Sequence, residues 1–298
     1  MLKTTRVSAY GILTDDRGRV LMQRTRANSD VPDSWWLPGG GLDHGEDPAD
    51  AVVREMREET GLDVEVTALR TVETQLVELG PDWRYHKVSV VYDVKDVGGR
   101  LKTEVGELSD DADNVWCDLA DLDGKRMIEL NAEVLGVRAV PMVRTRPPTR
   151  PSPVPDGQVQ RVGVYAWVTD PLGRVLMTLI PEGFPMAGLW HLPGGGLDFG
   201  ERPREALSRE IVEETSQDAV LGGLRCVQSI HHAESIGPSG RVEDFHGIHV
   251  IYDATVAEPK PLEIQDVGGS TSEVVWLEVD EIRRLPVTPA VEAALALA

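Results

Sequence analysis

Three carboxylates crowd one short stretch of the chain, Glu55, Glu58 and Glu59. On a helix turning about 100° per residue, with Glu55 at the origin, Glu58 falls at about -60° and Glu59 at about +40°, so the three share one face. Crowded carboxylates repel, and a bound divalent cation with hard oxygen ligands is the usual physical reason to tolerate them. The competing reading is a solvated acidic helix face. Arg54 lies four residues before Glu58, within reach to hold it. Ala49, Val52, Val53 and Met56 gather on the neighbouring arc, which is expected to pack the helix on a sheet and fix where the acids point. Ahead of the helix lies Leu37-Pro-Gly-Gly-Gly41, where backbone unshielded by side chains can approach a phosphate or offer a carbonyl to a metal. Glycine loop and acidic helix together favour the metal site over the solvated face.

The same pairing occurs again. Trp35-Trp-Leu-Pro-Gly-Gly-Gly-Leu-Asp-His-Gly-Glu46 returns as Trp190-His-Leu-Pro-Gly-Gly-Gly-Leu-Asp-Phe-Gly-Glu201, an offset of 155 that also carries Tyr10 onto Tyr165. Further on, Val88-Ser-Val-Val-Tyr-Asp93 pairs with Ile248-His-Val-Ile-Tyr-Asp253 and Trp116 with Trp276, now at an offset of 160. The second copy therefore holds a five-residue insertion, placed around Gly237-Pro-Ser-Gly240. Between the copies, Pro141 to Pro155 contains six of the twenty prolines together with Arg144, Arg146 and Arg150, the composition of an extended connector. We expect domains at 1–143 and 159–298, joined by a linker over 144–158.

Positioning the acids requires a sheet. Enrichment in Val, Ile and Tyr predicts strands at 5–13, 19–24, 64–78, 86–95 and 113–117, with equivalents in the second half. Helices are predicted at 48–60 and 203–215, because Pro48 and Pro203 suit a first helical turn and Gly61 suits the left-handed residue that closes one. A further helix follows each Trp, at Leu130 to Val137 and Pro289 to Leu297. Strands and helices mixed in this order give an α/β chain, a mixed sheet covered by helices, in duplicate.

Composition limits the partners. Thirty Lys and Arg against fifty Asp and Glu leave a net charge of -20, which repels nucleic acid phosphates over most of the surface. No apolar run reaches the roughly 20 residues that span a bilayer. The N-terminal sequence lacks the apolar core of a signal peptide, so a cytoplasmic chain is expected. Cys117 and Cys226 stand far apart, suggesting two free thiols and neither a zinc site nor a disulfide.

The segment Gly40-Gly-Leu-Asp-His-Gly-Glu46, followed after seven residues by Arg54-Glu-Met-Arg-Glu-Glu-Thr-Gly-Leu62, resembles the Nudix box, G-x5-E-x7-R-E-U-x-E-E-x-G-U with U a bulky aliphatic. All nine fixed positions match. The second copy keeps seven, placing Ser216 and Gln217 where a glycine and an aliphatic residue are expected. The resemblance covers both halves and implies two α/β/α sandwiches that hydrolyse a nucleoside diphosphate linked to another moiety, or a nucleoside triphosphate, using Mg2+ or Mn2+. It implies that Glu55, Glu58 and Glu59 ligate metal with the Gly40 carbonyl, that Arg54 orients them, and that Glu46 supports loop and helix. The counterparts are Glu210, Glu213, Glu214, Gly195, Arg209 and Glu201. Many relatives dimerise, so an intramolecular pseudo-dimer or a homodimer is expected.

Residues beyond the box leave more open. A base for the attacking water is sought among the helix glutamates and the later acids Glu104, Glu107, Asp113, Glu263 and Glu273. Trp83, Tyr85, Phe184, Phe245, His231, His232 and His246 are candidates to stack on a base or ribose, while Trp35 and Trp190 are read as structural. The subgroup marker of ADP-ribose hydrolases, a proline about sixteen residues past the box, is absent, with Val77 and Glu78 there instead. Three function classes follow: a metal-dependent pyrophosphohydrolase of a small nucleotide, an enzyme whose second domain is a nucleotide-binding regulatory or structural module, and a non-catalytic nucleotide sensor.

Overall fold

The structure, a computed structural model, describes residues 1–78, 82–103, 112–146, 154–237, 240–265 and 268–298. Residues 147–153 of the expected linker, the candidate bases Glu104 and Glu107, and Pro238 and Ser239 of the insertion lie outside these. The chain divides into two compact units, Met1–Pro153 and Val154–Ala298.

The first unit runs β1 (Leu2–Leu13), β2 (Val20–Thr25), β3 (Ser34–Trp36), β4 (Gly39–Gly41), α1 (Pro48–Thr60), β5 (Leu62–Glu78), β6 (Trp83–Gly99), β7 (Ala112–Cys117), α2 (Leu119–Leu122), β8 (Lys125–Met127), α3 (Glu129–Leu135) and β9 (Ala139–Val140). One sheet has the order β4-β1-β6-β5 and the other β7-β2-β3-β8-β9. β1 and β6 pair in parallel, flanked by antiparallel β4 and β5. The five strands predicted from composition correspond to β1, β2, β5, β6 and β7.

The second unit repeats this as β10 (Gln158–Thr169), β11 (Val175–Leu179), β12 (Trp190–His191), β13 (Gly194–Gly196), α4 (Pro203–Thr215), β14 (Val220–Ile236), β15 (Val242–Thr255), β16 (Glu273–Leu277), α5 (Val279–Ile282) and α6 (Pro289–Leu295). Here Thr169 pairs with Val175 and joins everything into one seven-stranded sheet. In the first unit the same corner is only an isolated bridge between Thr14 and Val20.

Alternation along β1 sorts its two faces. Tyr10 and Ile12 enter a core with Leu130, Ala132 and Leu135 of α3, whereas Gly11 faces α1, where a Cβ would meet Met56 Sδ at 3.1 Å. The central strands are thus covered on both faces. The buried face of α1 comprises Pro48, Ala51, Val52, Met56 and Thr60, which corrects the expected arc. Ala49 and Val53 are only half-buried, and Ala51 takes the contact. Ala51 lies at about -40° and Val52 at about +60°, so the packing face overlaps the glutamate face and does not merely adjoin it.

The ends of the two box helices differ. Asp47 caps α1 by accepting the Ala49 N–H at 2.8 Å, and Gly61 closes it at φ 78°. In α4, Arg202 occupies the cap position without a side-chain bond, and Ser216 adopts φ 58°. A non-glycine residue there is strained by roughly 1 kcal/mol. Hydrogen bonds offset the strain, since the Ser216 hydroxyl donates to the Glu263 carbonyl at 2.9 Å and accepts from the Gln265 amide at 3.1 Å. Gln217 is fully buried, accepts the Lys260 N–H at 2.9 Å and donates to the Lys260 carbonyl at 3.1 Å. The two departures from the box pattern therefore tie the 260–265 segment to the helix end. Replacing Gln217 by Leu restores the pattern's aliphatic residue but removes both partners of Lys260, so we expect a loss of about 1–3 kcal/mol in the second unit, measured by urea unfolding. Unchanged or increased stability would show that the amide is dispensable.

Candidate functional site

The glycine segment expected to be a loop is a short strand. β4 pairs with β1 through Ser8↔Gly41, Ala9↔Gly40 and Tyr10↔Gly39. Glycine is required at two of these positions. At Gly39 a Cβ would strike the Ala9 carbonyl and φ is 139°, and at Gly40 it would lie 2.5–2.7 Å from the Glu55 carboxylate. Bare backbone lets the acidic helix close directly on the strand.

Arg54 ties the two together. Its guanidinium donates to both oxygens of Glu46 at 2.7 and 2.8 Å, to Glu55 at 2.9 Å, to Glu58 at 3.3 Å and to the Gly41 carbonyl at 3.1 Å. Those bonds, Glu46 first, raise the Arg54 pKa, so the cation is fixed. Glu46 also accepts the Asp43 N–H at 2.9 Å and so anchors the connection between β4 and α1. Glu59 accepts the Gly39 N–H at 2.9 Å, and Asn114 of β7 donates to the Glu59 carbonyl at 3.0 Å.

The three box acids are unequal. Side-chain exposure is 59% for Glu58 and 14% for Glu55. The Glu59 carboxyl is buried enough that desolvation pushes its pKa up to about 7, against the opposing hydrogen bond from Gly39. The second unit repeats the arrangement. Arg209 reaches Glu201 at 3.1 Å, Glu210 at 2.8 Å and Glu213 at 3.1 Å, and a Cβ on Gly195 would lie 2.5–2.7 Å from the Glu210 carboxylate. Glu214 is 5% exposed, accepts from Gly194 N–H at 2.9 Å and from the Thr271 hydroxyl at 2.6 Å, and is likewise pushed up to about 7 by burial. Burial also raises Glu210.

A cavity of about 1470 Å³ opens beside Gly40, Gly41 and Glu55 in the first unit, on the α3 side of the sheet. Tyr85, a candidate stacking residue, lines it together with Arg6, Tyr10, Trp36 and Lys87, which the sequence reading had not singled out. The other stacking candidates sit elsewhere. Trp83 is buried and donates its indole N–H to Thr4 at 2.8 Å, His246 is buried between Gln160 and Ser229, and His231 pairs with Asp244 at 2.6 Å. Phe184 is 39% exposed in the turn before β12, His232 is exposed on β14, and Phe245 lies half-buried on β15. Trp35 and Trp190 pack against their respective cores, as expected for structural residues. Of the candidate bases, Asp113 is held by Arg26 at 2.8 Å, while Glu263 and Glu273 are exposed. Cys117 and Cys226 are free thiols. Among the described residues no helix is long and apolar enough to cross a membrane.

These features define a tandem α+β protein in which each half locks a carboxylate helix to a glycine strand. The chain belongs to the Nudix family, its residues 4–135 and 159–297 each matching the NUDIX domain. It is 36% identical over 87 residues to an RNA pyrophosphohydrolase of Bartonella quintana, covering 29% of this chain and 43% of that one. It is 56% identical over 43 residues to an RNA pyrophosphohydrolase of Nitratiruptor, covering 14% and 28%. The chain thus spans less than half the length of these curated relatives. Among solved structures, the MutT NUDIX hydrolase from Burkholderia pseudomallei is 26% identical and aligns with 47% of this chain and 98% of its own, with a TM-score of 0.38.

The burial of Glu59 and Glu214 sets a pH dependence. Folded protein holds each proton up to about pH 7, whereas an unfolded glutamate releases it near 4.5. Between these values the folded chain binds more protons, so metal-free stability falls as pH rises. Glu59→Gln keeps size and an oxygen for the Gly39 N–H but cannot ionise. In EDTA we expect it to stabilise the first unit at pH 8 by roughly 1–3 kcal/mol and by less at pH 5, measured by thermal unfolding. A variant less stable than wild type at pH 8 would contradict this.

Proposed function

We propose that this chain is a divalent-metal-dependent hydrolase that splits a phosphoanhydride bond in a small nucleotide, with the first unit as its principal catalytic site. The observation that carries the reading is the locked carboxylate set beside a large cavity: Glu55 and Glu59 held on glycine backbone, Glu58 open to solvent, and all three on one face of α1.

Such a set fits Mg2+ or Mn2+. Its donors are hard oxygens crowded on one helix face, the donor chemistry a divalent cation takes. Glu55, Glu58, Glu59 and the Gly40 carbonyl would hold it in the first unit, and Glu210, Glu213, Glu214 and the Gly195 carbonyl in the second. When bound, the ion neutralises the pyrophosphate and acidifies an attacking water. The chain's own residues do the rest. Arg54 and Arg209 fix the directions of Glu55 and Glu210, which would orient whatever these carboxylates hold. Glu59, whose carboxyl is made reluctant to ionise by burial, would have to give up its proton to serve as a ligand. Water then adds to phosphorus, the bridging P–O bond breaks, and a carboxylate accepts the water's proton.

A small nucleotide is favoured over a nucleic acid because the chain carries a net charge of -20. In the second unit the proposed ligands are equally well placed, but its helix end is tied to the 260–265 segment by Ser216 and Gln217. That difference favours a second reading for this unit, a nucleotide-binding module with regulatory rather than principal catalytic work.

A nucleotide library incubated with Mg2+ or Mn2+, scored by product mass, tests the proposal directly. We expect phosphate-terminated products and no turnover in excess EDTA. Glu58→Gln with Glu59→Gln should lower kcat/KM by 100-fold or more, on the order of 3 kcal/mol of transition-state stabilisation, whereas Glu213→Gln with Glu214→Gln should leave a substantial fraction. If only the second pair abolishes turnover, the two units have the opposite roles.

A further inference from the structure

Lys87 is the least expected residue of the first cavity. It is only 9% exposed, in a chain of fifty acidic side chains, yet among the described residues its ammonium makes no ion pair and no hydrogen bond. Its ammonium instead sits 4.6 Å from the centroid of the Tyr10 ring and 5.7 Å from that of Trp36. Aromatic faces compensate part of the desolvation of a cation, but they leave its N–H donors without acceptors. Arg6, two strand positions before Ser8, lines the same cavity, and a Cβ on Gly41 would collide with its guanidinium. The guanidinium therefore lies on the glycine strand beside the box, and it too has no ion pair among the described residues.

The second unit keeps the box and an arginine, Arg161, at the position of Arg6, but loses the lysine. Register and offset place Gly247 where Lys87 stands, His191 where Trp36 stands and His249 where Ser89 stands. His191 and His249 surround Tyr165 at centroid distances of 4.4 and 5.1 Å, and burial holds their pKa values down at about 3 and about 4, so both rings are neutral. Gly196, the counterpart of Gly41, has no atom near its would-be Cβ, so the Arg161 guanidinium does not lie on the glycine strand as that of Arg6 does. Divergence concentrated on charge, with the acidic helix unchanged, is what a difference in ligand requires.

Resting on the hydrolase reading above, we infer that Lys87 and Arg6 form an anion subsite, so that the first unit selects nucleotides carrying phosphate beyond the two joined by the bond cleaved, and that the second unit lacks this selection. The subsite positions substrate through charge and takes no part in bond breaking. A purely structural Lys87 would be replaceable by an apolar side chain of similar length without any effect on anions.

Two measurements on the full chain decide the matter. In EDTA at low salt, calorimetric titration with inorganic tripolyphosphate probes the cations without catalysis. We expect binding by wild type, weakened at least tenfold by Lys87→Met and about threefold by Arg6→Gln. The second variant lies at an exposed position and keeps the test decisive if the first misfolds. Absence of binding by wild type, or unchanged binding by both variants, overturns the subsite. With Mg2+, the ratio of kcat/KM for diadenosine tetraphosphate over diadenosine diphosphate should fall about tenfold in Lys87→Met, and an unchanged ratio overturns the selectivity. If wild type cleaves neither dinucleotide, the choice of these substrates or the hydrolase reading fails, while the calorimetry still decides the subsite.

Discussion

One planar guanidinium must satisfy five acceptor oxygens on the box helix and on the segment leading to it, and the geometry of the site follows from how it does so. Arg54 takes both oxygens of Glu46, one each of Glu55 and Glu58, and the Gly41 carbonyl. Bidentate bonding fixes the angle of the fork, and the fork fixes the distance between β4 and α1. Lysine, a point charge with three rotatable donors, cannot hold that many acceptors in set directions. Without the cation, four glutamates would repel across a gap that glycine backbone has already made narrow. The second unit reaches the same solution with Arg209, although its helix lacks the Asp47 cap and ends on Ser216.

From this lock follows a gradient of burial among three chemically identical side chains. Glu58 points to water, Glu55 is pinned between Arg54 and Gly40, and Glu59 is pressed under the glycine strand. The angular order on α1 explains it. Glu59, at about +40°, shares an arc with Val52, which faces the sheet, whereas Glu58, at about -60°, has rotated past Ala51 towards solvent. A helix whose packing face and acidic face overlap cannot bury its acids equally, and one carboxyl with a raised proton affinity is the result.

How far this was legible beforehand depends on whether a feature is local. The carboxylate face, the Pro48 start, the Gly61 stop and the five main strands are read from spacing and composition, because each is set by residues close in sequence. The glycine segment reads as a loop but is a strand, since its partner β1 is some thirty residues away and glycine has little strand propensity of its own. The overlap of the packing and acidic faces was hidden for the same reason, as Ala51 meets the sheet only once the helix has docked. Lys87, Arg6, Tyr10 and Trp36 converge from three different strands, and no single window of sequence contains them. A signal for them was nevertheless present in the repeat. Aligning the copies position by position marks Lys87 against Gly247 and Trp36 against His191 as sharp changes of chemistry amid strands otherwise alike.

The duplication separates two demands that a single domain must meet together. The acidic face of the box helix tolerates little change, because Arg54 and Arg209 each tie several acids and any substitution leaves a charge unmatched. The cavity beside it includes strand residues, Tyr10, Trp36 and Lys87, whose side chains share no bond with that lock, so these positions can differ between the units while the lock is kept. In the first unit Lys87 and Arg6 lie close to the box; in the second, Gly247 replaces the lysine and makes room for His249, whose Nε2 would lie 3.3 Å from a Cβ there. Conserving Lys87 in the second unit would crowd that ring, and conserving Trp36 would remove the His191 contact to Thr288 at 2.6 Å. The two imidazoles thus pack as a set around Tyr165, and restoring either residue of the first unit would disturb that packing.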